Sequence, residues 1–226
     1  MTVIGIDGYP SGWVAARVTV ASNDVTWSTS DVAGTATLLD PECVVGIDMP
    51  IGLANEGWRE CDVQAKAELG RAGSRVFMTP PRAVLELGIE APNTEVQALS
   101  RTLTGQGTSR QAMGLAERIL ALDAALTTSP ATVRGTVLEV HPELAFAELA
   151  GQVLESKKTA AGVGQRILAL RSWLPAVDQI LASAQPGVPV DDALDALACA
   201  WSAARWREGR ARTVPPGATA APFIAV

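Results

Sequence analysis

No apolar run in this chain approaches the roughly 20 residues that a membrane-spanning helix needs, and its opening "MTVIGIDGYP" lacks the basic start of a secretory signal. Both absences lead us to expect a cytoplasmic protein that does not enter a membrane. Cysteine is sparse: Cys43, Cys61 and Cys199 are an odd three, and no two stand in C-x-x-C spacing. That argues against a disulfide framework and a structural zinc site, and it leaves three buried thiols in a reducing compartment. Positive charge is also short, with 18 Lys and Arg against 24 Asp and Glu for a net charge of −6. A protein that coats nucleic acid is normally basic, so contact with nucleic acid must come from a local patch. Internal repeats, low-complexity tracts and clear linkers are absent, and 226 residues suffice for one domain with a substantial core.

What the chain does have is patterned hydrophobicity, 48% against 19% charged, the balance of a globular protein. Residues 3–8 and 12–20 flank "YPSG" and predict strand, tight turn, strand. "DVTWSTS" (24–30) predicts a third strand completing an antiparallel meander, and residues 33–39 a short helix. "CVVGIDMP" (43–50) is a continuous β-rich run, as expected of a buried parallel strand. Residues 59–70 predict a helix stopped by Gly70, and 71–93, with paired prolines, an irregular segment with room for a short helix. Ser109 caps a predicted helix through "RQAMGLAERILALDAAL", and "TVLEVHPE" (136–143) returns to strand. Helices are predicted over 143–150, 162–172, 175–184 and 191–209, the last opening on Asp191 as N-cap and closing at Gly209. The tail "VPPGATAAPFIAV" is too proline-rich for a helix and suits an edge strand or a loop. The expected fold is α/β: a mixed five-stranded sheet, three antiparallel strands then parallel ones, flanked by helices. We expect a single domain over 1–226 with a helical insertion at about 56–130.

Acids stand where those strands end. Asp7 closes the first strand in "GID", Asp48 the fourth in "GID" again, and Glu139 lies near the end of the fifth in "LEVHPE". Asp191, Asp192 and Asp195 open the last helix in "VDDALDALACA". Ligands gather at strand ends in such sheets, so these acids can converge. Carboxylates crowded in a cleft repel unless cations bind or some are protonated, and hard oxygen ligands suit Mg²⁺ or Mn²⁺. Two such ions can clamp the attacking and leaving oxygens of a phosphodiester. Asp192 and Asp195, three apart, share a helix face. Ordinary structural roles compete: Asp7 and Asp48 as turn formers, Asp191 as a cap, Asp192 as a favourable first-turn acid. Asp195, deeper on an apolar helix, is hardest to explain that way. Glu139 is either a fifth ligand or the partner of a base such as Arg75 or Arg82. Lys157 and Lys158 form the clearest basic pair and, with Arg75 and Arg82, are the candidate phosphate contacts. His141, the only histidine, is either a proton shuttle or a hydrogen-bonded turn residue; the six tryptophans read mostly as packing.

"VIGIDGYPSGWVAA", "VVGIDMPIGL", "RECDVQAKAELG", "GSRVFMTPPR", "LEVHPELAFAELAG" and "SKKTAAGVGQRILAL" resemble, in order, the motifs of the domain of unknown function 429 family, regarded as nucleases of RNase H-like fold. The closing "DDALDALACA" resembles the last helix of RuvC-type Holliday-junction resolvases, where two acids three apart complete a metal site with acids from strands one and four. That resemblance implies Asp7, Asp48, Asp192 and Asp195 as metal ligands, with Asp48 standing where the resolvases carry glutamate. The expectation is a metal-dependent nuclease or phosphodiesterase acting on nucleic acid, DNA or RNA, through two ions. The alternatives are an ATP-binding phosphotransferase similar to actin-like sugar kinases, and a non-catalytic binding protein on the same fold.

Overall fold

The computed structural model describes residues 1–226. Strands β1 (Thr2–Tyr9), β2 (Gly12–Thr19) and β3 (Asp24–Ser30) form the antiparallel meander expected. Strand β4 (Val44–Ile47) pairs in parallel with β1, and β5 (Val137–Glu139) in parallel with β4, giving the order β3-β2-β1-β4-β5. A single 3₁₀ segment, Thr35–Leu38, stands where a short helix is predicted between β3 and β4. Between β4 and β5 run α1 (Glu60–Glu68), a 3₁₀ segment (Gly70–Arg75), α2 (Arg82–Glu86) and α3 (Asn93–Thr104). The same connection continues through α4 (Arg110–Gly114), α5 (Ala116–Thr128) and α6 (Ala131–Arg134). After β5 come α7 (Pro142–Ala150), α8 (Ala160–Arg171), α9 (Val177–Ala182) and α10 (Val190–Arg207). No helix is long and apolar enough to cross a membrane.

Four local expectations are corrected. Helix α3 lies inside the expected helical insertion but where no individual helix is placed; its stripe of Val96, Leu99, Ser100 and Leu103 is helical in spacing, and Gly105 closes it in the left-handed region. The helix capped by Ser109, whose side chain does accept the Ala112 N–H, breaks after Gly114 into α4 and α5. Glycine is the poorest helix former in that run. Helix α10 starts after Pro189, so Asp191 is not its cap but a first-turn acid. The tail joins neither edge of the main sheet. It folds into its own pair of strands, β6 (Thr213–Val214) and β7 (Ile224–Ala225), packed with Cys61, Ala65, Leu69 and Leu144.

The sheet divides the core in two. Val3, Val14, Val44 and Leu138 pack with α7–α10 on one face; Ile4, Ile6, Val45, Ile47 and Val137 pack with α2–α6 on the other. Alternation along a strand therefore decides which side a residue serves. Gly5 and Gly46 are register partners on the α10 face. A Cβ at Gly5 would lie 1.9 Å from the Ala196 carbonyl oxygen and 2.2 Å from the Ala200 nitrogen; one at Gly46 would lie 2.3 Å from the Cys199 carbonyl oxygen. The two glycines let the backbone of α10 rest on β1 and β4, and its buried alanines complete the approach. Two residues further along each strand, on the same face, come Asp7 and Asp48.

Gly5→Ala or Gly46→Ala is expected to lower stability by about 1–3 kcal/mol by forcing α10 off the sheet. Gly164→Ala, at a helical glycine with open space around it, is expected to be neutral or stabilising by up to about 1 kcal/mol. Equal urea midpoints for all three variants would contradict the close contact.

Candidate metal centre

Three carboxylates meet at the end of the sheet. Asp7 is the penultimate inward residue of β1, and Asp48 follows β4, its N–H extending the ladder to the Ile6 carbonyl at 3.0 Å. Asp195 descends from the second turn of α10, placed by the glycine contacts just described. One oxygen from each of the three lies within 4.8 Å of the others. Asp7 is 5% exposed and Asp195 2%, while Asp48 is half-buried at the edge of the opening. Together they line a cleft of about 320 Å³ whose walls include Asp192, Arg75, Phe77, His141, Lys157 and Lys158.

The group is electrostatically uneven. Asp7 accepts the Gly8 N–H at 2.7 Å, yet burial and the charges of Asp48 and Asp195 hold its pKa well above the carboxylate range. Burial and Asp195 push Asp48 up to about 8. Burial also raises Asp195, against the pull of Lys157, whose ammonium pairs with Asp195 Oδ2. Asp195 Oδ1 is buried with no partner at all. Asp192 lines the cleft outside the close set, and burial and Asp191 push it up to about 6. One ammonium among three carboxylates leaves an excess of negative charge and an orphaned acceptor. Those donors are oxygen only, and one from each residue lies within 4.8 Å of the other two, close enough for all three to approach a single ion. Asp7, Asp48 and Asp195 therefore fit a hard divalent cation such as Mg²⁺ or Mn²⁺.

Residues 5–220 match the family described as "Protein of unknown function (DUF429)". The chain belongs to that family. No curated protein and no solved structure matches it. The DUF429 match contains all three converging acids, both close-packed glycines and the whole of α10.

Elsewhere in this DUF429 chain the candidate residues are dispersed. Glu139 is excluded from the cluster by parity: it is the register partner of Ile47, on the sheet face opposite Asp7 and Asp48. Its partner is neither Arg75 nor Arg82 but Arg59, whose guanidinium reaches its oxygens at 2.6 and 2.8 Å, while the Ile51 N–H adds a third bond at 2.7 Å. Arg59 also holds Asp62, which accepts the Thr79 N–H at 2.8 Å. Cys61, Asp62 and Glu139 are close enough to ligate a metal, but the buried guanidinium already supplies the cation there. Arg75 reaches the cleft wall, tied at 2.7 Å to Glu143, which also takes the fully buried Arg166 at 2.5 Å. Arg82 pairs with Asp123 at 2.7 Å and does not line the cleft. Lys158 pairs with Asp191 at 2.7 Å on the rim. Arg59, Glu143 and Arg166 were not singled out in the sequence, where only their place inside "RECD", "HPEL" and "GQRIL" could have drawn attention to them. All three cysteines are free and buried, as expected.

Arg59→Met should cost about 3–5 kcal/mol, because Asp62 and Glu139 stay buried without their cation; a urea-derived loss below about 1 kcal/mol would refute this role. The raised acids set a pH dependence. The folded metal-free protein keeps protons that an unfolded aspartate releases near pH 4, so this part of its stability is lost as pH rises from there toward about 8, the Asp48 value. Melting temperatures in EDTA should fall across that window, less steeply in Asp48→Asn, and stabilisation by Mn²⁺ should grow over the same range. Parallel curves for the two proteins would be the contrary result.

Proposed function

We propose that this chain is a divalent-metal-dependent phosphodiesterase that hydrolyses nucleic acid, with Asp7, Asp48 and Asp195 holding the cation. The observation that carries the reading is the meeting of acids from β1, β4 and α10, one of which, Asp195, keeps a buried oxygen without a partner. Acids on the first and fourth strands and on the last helix are also what the resemblance to RuvC-type resolvases implies, on an RNase H-like order of strands.

A bound Mg²⁺ or Mn²⁺ would activate a water and offset charge on the phosphoryl oxygens. The protein's own groups do the rest. Arg75 and Lys158 present donors from the cleft walls to orient a phosphate, and Lys157 adds positive charge beside the acids. His141 lines the cleft, and burial lowers its pKa, so its imidazole stands neutral and able to accept the proton of the attacking water. Met49, Phe77 and Leu115 give an apolar surface against which a base or sugar can rest. A cleft of about 320 Å³ is of small-ligand size. With a net charge of −6, it suits a strand end or an extruded nucleotide better than the flank of a duplex.

The test incubates the purified chain with end-labelled single-stranded DNA and RNA in Mn²⁺ or Mg²⁺, with EDTA as control. Metal-dependent cleavage is expected, with Asp7→Asn reducing the rate by at least about a hundredfold while its melting temperature is unchanged or higher. His141→Ala should cost about ten- to a hundredfold. Intact oligonucleotides together with no calorimetric signal for Mn²⁺ would reject the function.

A further inference from the structure

We infer that the centre takes one divalent ion rather than two, because Lys157 supplies the second positive charge from within the chain. This rests on the metal-dependent reading above and departs from the two ions expected from the sequence.

Lys157 is not a surface lysine that happens to reach inward. Its loop, between α7 and α8, is strapped down residue by residue. Arg75 donates to the Leu154 carbonyl at 2.8 Å, Arg166 to the Glu155 carbonyl at 2.7 Å, and the Glu155 N–H is taken by Gln165 at 2.8 Å. Gly162, whose N–H goes to the capping Thr159 hydroxyl at 3.0 Å, leaves room for the Ser156 carbonyl: a Cβ there would lie 2.0 Å from that oxygen. Glu143, shared by Arg75 and Arg166, anchors the strap to α7. The next residue is Lys157, and its ammonium meets Asp195 Oδ2.

That contact splits the work of Asp195. One oxygen, Oδ2, is held by the ammonium; the other, Oδ1, is buried and unpartnered, in a carboxylate that lies within 4.8 Å of those of Asp7 and Asp48. The charges then balance with a single divalent ion, since its two positive charges and that of Lys157 offset the three carboxylates. Beyond an oxygen shared from Asp7 or Asp48, a second divalent ion would draw on Asp195 Oδ2, already paired with Lys157, or on Asp192, which stands outside the close set. Either position puts it against a fixed like charge. Lys158 provides an internal comparison: it follows Lys157 directly, but its side chain is largely exposed and pairs with Asp191 on the rim.

The experiment counts Mn²⁺ bound to the full chain by the loss of the free-ion electron paramagnetic resonance signal, with spin coupling between neighbouring ions as a second readout. We expect one ion in the wild type, in Lys157→Arg and in Lys158→Met, and two coupled ions in Lys157→Met and Lys157→Gln. Two ions in the wild type would overturn the inference, and so would a single ion in both neutral Lys157 variants; either result leaves the metal-dependent reading standing. No ion bound by the wild type would overturn both.

Discussion

The contact of the α10 backbone with β1 and β4 at Gly5 and Gly46 is the constraint on which the rest depends. Any larger residue at either position would hold the helix away, because the atoms opposite are main chain and cannot swing aside. The same contact brings Asp195 within reach of Asp7 and Asp48. Core packing and site geometry are thus one interaction, and a helix of ordinary bulk on this sheet could not deliver its acid to the strand ends.

Two kinds of buried acid coexist within one region of the protein. Asp62, Glu139 and Glu143 are saturated: arginines 59, 75 and 166 and backbone N–H groups occupy their oxygens. Such buried pairs add little net stability, yet breaking one is costly, so they act as rigid ties. They join β5 to the 51–79 segment and α7 to the loop before α8. Asp7, Asp48 and Asp195 are left short of partners, and burial there raises their pKa values instead. Strongly shifted acids in a cleft, surrounded by ties that hold them in place, are the usual electrostatic mark of a functional site.

Much of this was legible in the residues. The repeated "GID" marked the acids at two strand ends, while the use of its glycine, to let α10 approach the sheet, came only with the structure. The meander and the parallel strands followed from apolar runs and turn residues. Helix α3 was hidden by its short stripe after a proline-rich segment, and the break at Gly114 by a run that is otherwise helical. Glu139 was misplaced because its side depends on strand register, which parallel pairing sets only when the chain folds. The partners of Arg75, Arg82 and Glu139 were also out of reach: the Arg59–Glu139 bond spans 80 residues, and nothing local distinguishes one arginine from another.

The sequence by itself determined the succession of strands and helices along the chain, the α/β class and which acids stand at the ends of β1 and β4, because periodicity and turn chemistry act over a few neighbouring positions. Only the tertiary structure decided which charges meet. It joined Asp195 to two strands, gave Glu139 to Arg59, and set Lys157 beside the acids while Lys158 stayed on the rim. Those choices rest on register, helix approach and long-range ion pairing, which exist only once distant segments are packed together.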